Sequence, residues 1–354
     1  MHMADALVSP VVAGVAGIIS GTLVVIAAKK VRNSQRESIV PLMGVMGAFI
    51  FAAQMINFSI PGTGSSGHIV GGVLLASLLG PWAGFITLTS VLIIQSLIFA
   101  DGGLMALGCN IFNMAACTCL IAYPLLFKPL MKYPVSLGKT LWVSILTCVI
   151  GLELGAVAVT IETEASGITA LPIAQFLLFM APIHLAIGIG EGLATAAVLY
   201  YIQKYKPDLL LQVRQAKKSD PHTSRPGKAI IIFAILALLL GGTFSWIAST
   251  SPDGLEWSIA NVTGQTELPA DTSGKIYGIS QNIQQKTSIM PDYNTTFAGI
   301  IGGIIVVSVI GILAGLLQYK KKNIPKQNEY IRKGTIRAKR HGTGFRTSQP
   351  APPL

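Results

Sequence analysis

The chain has 354 residues, of which 51% are apolar and only 12% charged, with a formal net charge of +11. So few charges exclude a soluble domain of this size, and several apolar runs reach the ~20 residues that cross a bilayer core. The basic excess, read by position, is a topology signal and argues against a nucleic-acid partner.

In chain order, hydropathy predicts spans near 8–28, 39–58, 69–83, 84–100, 104–127, 137–161, 172–202, 229–249 and 297–319. The third and fourth are short and meet at Gly80-Pro81-Trp82-Ala83-Gly84; a tight or re-entrant pair is the alternative there. The expected fold is an all-α polytopic membrane protein. Residues 1–203 form a seven-span unit, 204–228 a cytoplasmic linker, and 229–319 a two-span unit with an outer loop over 250–296. A basic tail over 320–354 has little apolar content and is expected to be disordered. Of the basic residues, 24 follow spans one, five, seven and nine, and only Lys275 and Lys286 fall in the alternate loops. The positive-inside rule therefore sets the N-terminus outside the plasma membrane and the C-terminus in the cytoplasm.

The chain opens Met1-His2-Met3-Ala4-Asp5. Alone, His2 reads as an ordinary polar residue behind a start codon. A free N-terminus followed by His is also a chelator: the Met1 amine, the His2 amide nitrogen and a His2 imidazole nitrogen close two rings on one ion. Met1 is expected to be kept, since His is too large for removal of the initiator and Met1–Asp5 lacks a basic signal-peptide region. His68 ends a Gly/Ser-rich stretch, Gly62-Thr63-Gly64-Ser65-Ser66-Gly67-His68, on the same side by topology. Such a stretch at membrane depth must be buried in protein or line a cavity. Three nitrogens from Met1 and His2 and a fourth from His68 make a square-planar set, which suits Ni(II) or Cu(II) better than Zn(II), Mg(II) or Ca(II).

Asp101, Asn110 and Asn113 lie near the same end and are candidates to steady the two rings; helix–helix hydrogen bonding is the alternative for the asparagines. Glu153, His184 and Glu191 are ionisable groups within spans. His184 and Glu191 share a helix face but sit about 10 Å apart along it, so they do not grip one ion. Either each is hydrogen-bonded to a neighbouring helix, or they hold the metal loop or meet a partner subunit. His222 and His341 fall in the linker and the tail, where solvated side chains are the default. Cys109, Cys117, Cys119 and Cys148 fall inside spans and read as buried, apolar-like residues. Gly138-Lys139-Thr140 lacks the earlier glycine of a phosphate-binding loop, since Tyr133 stands there.

The N-terminal run Met1–Leu7, the Gly62–His68 loop and the Ala100-Asp101-Gly102-Gly103…Asn110…Asn113-Met114 segment resemble the metal-binding M component of energy-coupling-factor nickel and cobalt transporters. His184-Leu185-Ala186-Ile187-Gly188-Ile189-Gly190-Glu191 is similar to the family's last helix, and Ser251-Pro252-Asp253-Gly254-Leu255-Glu256-Trp257 to its small N component. The chain thus resembles a fused M–N protein over roughly residues 1–320. The resemblance implies a seven-helix bundle like other substrate-capture components, plus a two-helix unit. It implies Met1, His2 and His68 as ligands of Ni2+, with Co2+ as the alternative cargo. ATP hydrolysis is then expected in separate cytoplasmic ATPase subunits (the O or A component), acting through a membrane coupling subunit (Q or T). The chain itself is expected not to be an enzyme. A rival of another class is a stand-alone secondary transporter or channel using Glu153, His184 and Glu191.

Overall fold

Runs of Leu, Ile, Val and Ala without charge wind as helices in a bilayer, because the backbone there finds no partner but itself. The computed structural model describes residues 2–33, 39–132, 134–211, 227–242, 248–269, 274–293 and 298–322. Met1, most of the expected linker, and the expected tail beyond Lys322, with His222 and His341, lie outside the described residues. The helices are α1 (Pro10–Asn33), α2 (Ile39–Gln54), α3 (Gly72–Leu79), α4 (Pro81–Ile98), α5 (Leu107–Leu130), α6 (Leu137–Ser166), α7 (Ile173–Tyr205), α8 (Gly227–Gly242), α9 (Gly254–Thr263), α10 (Lys275–Thr287) and α11 (Ala298–Lys322). Five of them, α1 and α4 to α7, are long and apolar enough to cross a membrane; α2 and the stretches Ile230–Gly242 of α8 and Ala298–Ile312 of α11 are shorter apolar segments. One compact unit runs to Gly311.

The third predicted span is not a full crossing. α3 has eight residues, a rise of about 12 Å against a hydrocarbon core of about 30 Å. The rest of that passage is extended chain and a β-hairpin, β1 (Phe58–Ile60) against β2 (Ser65–Gly67), antiparallel with Ser59 opposite Ser66. Gly62 and Gly64 turn the hairpin at φ of 79° and 73°. This short strand pair is an addition to the all-helical expectation. It forms because Pro, Gly and Ser favour a turn there, and because the loop is enclosed by helices rather than by lipid.

α6 and α7 pack along nearly their whole length. A Cβ on Gly188 or Gly192 would run into the backbone of Val149 or Ile145, so small residues set the close approach of the two axes. All four cysteines are buried and unbridged, as their apolar setting suggests. Cys119 donates to the Gly72 carbonyl at 3.3 Å, tying the start of α3 to α5.

Candidate metal-capture site

The first residues form a strap laid across the bundle end where α4 stops and α5 begins. Met3 is fully buried; its N–H donates to Asn110 Oδ1 at 2.7 Å, and its carbonyl accepts from Asn110 Nδ2 (3.1 Å) and Gly103 N–H (2.8 Å). Asp5 accepts from Ala106 N–H at 3.0 Å and from Ser280 Oγ at 2.7 Å. Gly103 is required there, since any side chain at that position would overlap Asp5.

The strap delivers the His2 ring to a polar wall. Its Nδ1 lies 3.2 Å from Asp101 Oδ1 and its Nε2 3.3 Å from Gln95 Oε1. Gln95 donates to Gln54 Oε1 (2.9 Å), and Gln54 donates to the Val70 carbonyl (2.9 Å), so an amide relay joins the His2 wall to the chain just past His68. Asp101 also accepts from the Tyr293 hydroxyl at 2.6 Å. The loop that presents Asp101 is bent sharply: Ala100, which is not glycine, sits at φ 55° beside Gly102 at φ 80°.

His68 faces His2 with ring centroids 5.3 Å apart and planes 21° from parallel. That separation is within the span of one ion bonded at about 2 Å to a nitrogen of each ring. The loop carrying His68 is gripped from below: both Glu191 oxygens accept from backbone N–H groups, of Val70 at 2.7 Å and of Gly71 at 3.0 Å. From above, Ser66 N–H donates to the Pro252 carbonyl (2.8 Å), Ser66 Oγ to the Ser251 carbonyl (2.8 Å), and the Trp257 indole to the Thr63 carbonyl (2.9 Å). Asp253 caps α9, accepting from Leu255 and Glu256 N–H while its own N–H donates to Glu256, a reciprocal cap that stiffens this contact.

His2, His68, Asp101, Asp253 and Glu256 line one cavity of about 500 Å³, closed on its far side by α10. Burial, and then the positive groups around it, His2 among them, press the His68 pKa down to about 3. Burial also lowers His2, against the opposing pull of Asp101. Burial alone would raise Asp253; the positive groups facing it and the α9 amides hold it below the usual carboxylate range. Both shifts run toward the neutral imidazole, the form that can offer a ring nitrogen to a metal ion.

Of the residues the sequence singles out, His2, His68 and Asp101 come together. Asn110 meets the backbone of Met3 rather than a ring. Asn113 donates to Glu162 (2.6 Å) and to the Met3 sulfur (3.6 Å). Glu191 binds the loop; His184 donates from Nδ1 to Met180 (2.8 Å), its Nε2 unpaired among the described residues, as is Glu153 Oε1. Gln54, Gln95 and Asp253 escaped the sequence reading of the site. Two amides within apolar helices were a signal for the first pair, and the Asp253…Glu256 spacing, typical of a helix cap, was one for the third.

A bundle of apolar helices enclosing a re-entrant loop and a polar cavity lined by two imidazoles defines a multi-pass membrane protein. The model of the cobalt uptake substrate-specific transmembrane region matches residues 2–209, and the PDGLE domain matches 227–319. The chain belongs to the cobalt uptake substrate-specific transmembrane family, in the form fused to a PDGLE domain. It is 31% identical to the putative fused nickel transport protein NikMN of Archaeoglobus fulgidus, over 87% of this chain and 96% of that one. It is 27% identical to the fused nickel transport protein NikMN of Rhodobacter capsulatus, over 89% and 98%. Among solved structures, a transition metal transporter shares the fold at a TM-score of 0.53 and 33% identity, over 62% of this chain and all of that one.

Proposed function

We propose that this protein is the substrate-capture component of an ATP-driven Ni2+ importer of the energy-coupling-factor type. The supporting observation is the approach of His2 and His68, 5.3 Å apart, in a polar cavity at one end of a membrane bundle. In this reading Met1 supplies its amine, His2 its amide and ring nitrogens, and His68 the fourth nitrogen of a square-planar set. Nδ1 is the ring nitrogen that closes the chelate, so Asp101, 3.2 Å from it, gives way to the ion, while Gln95 Oε1 orients the ring by accepting from Nε2–H, as metal-bound imidazoles generally require. Asn110 and Asn113 act one step further out, by fixing Met3.

The site end faces outside and the basic ends of the helices face the cytoplasm, where a coupling subunit and ATPase subunits would dock. The relatives named as nickel transport proteins favour Ni2+. The family's own description, cobalt uptake, favours Co2+ as the second reading. A square-planar nitrogen set favours Ni2+ over Co2+ on geometric grounds.

The test is titration of the purified chain, native N-terminus intact, with Ni(II), Co(II), Cu(II) and Zn(II). His2→Ala, His68→Ala and a form with one extra N-terminal residue are titrated beside it. Equimolar diamagnetic, yellow Ni(II), lost in all three variants, is the expected result, with affinity falling in mild acid because the His2 amide must lose its proton. Tight Co(II) preference would change the cargo. Nickel binding indifferent to the N-terminal extension would remove the amine from the ligand set.

A further inference from the structure

We propose that α10 is an interfacial membrane helix: one face of it lies in the bilayer leaflet at the site end while the adjacent face holds the His2 strap. Tyr277, Ser280 and Gln284 recur at i, i+3 and i+7 and face the protein. Ser280 donates to Asp5, and Gln284 donates to the carbonyls of Ser96 (3.0 Å) and Gly102 (2.8 Å). Ile276, Ile279 and Ile283 recur with the same spacing one residue earlier, and stand 56%, 61% and 43% exposed; Ile289, just past the helix, is 69% exposed. At about 100° per residue the two stripes lie roughly 100° apart around the helix. A helix seated across the rim of a bundle has this arrangement, with one side against protein and the next turned down toward lipid.

The depth supports a lipid occupant rather than water. The protein-facing bonds reach Ser96 and Gly102, on either side of the last residue of α4, and Met290 N–H donates to the Ile98 carbonyl at 3.2 Å. α10 therefore lies level with the end of a membrane-crossing helix, and its isoleucines continue the lipid-facing belt of the bundle. Lys275 and Lys286, the two basic residues of this loop, flank the isoleucine stripe. Both are exposed, and long stems at such positions can lie along apolar surface with the ammonium groups at headgroup phosphates. The opposite side, with Gly278, Asn282 and Gln285, is polar and exposed. Four large apolar side chains left in water would form a patch of the kind that marks an interaction surface. Membrane seating also gives the strap contact a fixed floor, so that Ser280 and Gln284 hold Asp5 and Gly102 in place.

The full chain, reconstituted in nanodiscs of mixed zwitterionic and anionic phospholipid, tests this without any metal. Spin labels are placed at Ile279→Cys and, as the polar-face comparison, at Gln285→Cys; the native cysteines are buried and do not compete for label. Relaxation by dissolved oxygen is compared with relaxation by a water-soluble chromium chelate. The expected result is several-fold preference for oxygen at 279 and the reverse at 285. Equal access of the chelate to both positions would overturn the proposal, leaving the stripe in water. Exclusion of both reagents at 279 would overturn it too, because protein, a second copy of the chain or another subunit, would then cover the face. Since both labels sit on exposed positions, a circular dichroism spectrum matching the unlabelled chain checks that neither has disturbed the fold.

Discussion

The two segments that carry the imidazoles are held in different ways. The His68 loop is anchored from within the membrane by one carboxyl group: Glu191 accepts two backbone N–H bonds in a site fully closed to solvent. The His2 strap is anchored at several points, with Met3 held by Asn110 and Gly103 and Asp5 by Ala106 and Ser280. The PDGLE segment adds contacts to both, through Pro252 and Trp257 to the loop and through Ser280 and Gln284 to the strap. A single deep carboxyl gripping two adjacent N–H groups gives a fixed segment. A grip distributed over several partners gives one that can be loosened in parts. In the proposed capture role, this difference puts His68 on the rigid side of the site and His2 on the side that can close.

Substitutions can break this comparison. The largest effect is expected from Glu191→Ala, which leaves two buried N–H donors without acceptors at about 1–3 kcal/mol each. Ni(II) affinity, measured by competition with a chelator, should fall well over ten-fold, and thermal unfolding in detergent should shift down. Unchanged affinity would show that the loop is held by the hairpin alone. Next comes Asn110→Ala, which orphans the Met3 N–H while Gly103 still serves the carbonyl, a loss of about 1–3 kcal/mol. Here dissociation should speed up more than association slows, and stopped-flow exchange of Ni(II) would read it.

Removing the acceptor behind the His2 ring acts on the ring rather than on the backbone. Gln95→Leu should lower Ni(II) affinity by about 10–100-fold, as loss of groups behind metal-bound imidazoles commonly does. The fold should be intact by circular dichroism, and an unaltered affinity would mean that Gln95 is a structural partner of Gln54 alone. The smallest effect is expected from Trp257→Phe, which removes one hydrogen bond to Thr63 and costs about 0.5–1.5 kcal/mol. Hydrogen exchange in the 58–68 hairpin should then rise while that of the strap stays put. A matching rise in the strap would merge the two regions into one cooperative unit.

Much of the site was legible because its signals are local. His2 is chemically distinctive by its distance from the N-terminus, and His68 by ending a Gly/Ser run that no lipid-facing backbone could adopt. Asp101 follows the apolar run of α4 directly. Gln54 and Gln95 were passed over because an amide in an apolar helix has no spacing that tells what it bonds. Asp253 was passed over because its own hydrogen bonds are the local cap of α9, and its place in the cavity rests on Ser251 and Pro252 docking on Ser66, 185 residues or more earlier. The short third crossing was foreshadowed by Gly80-Pro81, but the half-helix and strand pair that replace it depend on enclosure by α5 and α7.

Hydropathy thus determined the membrane class and the apolar helices, because bilayer thickness and backbone desolvation act on each segment separately. The tertiary structure alone decided which polar groups meet: Glu191 with the loop backbone, Asn110 with Met3, Ser280 with Asp5, and His2 with His68. Those pairings are hydrogen bonds and ring contacts between residues 66 to 275 positions apart, and no local preference encodes a partner at that distance.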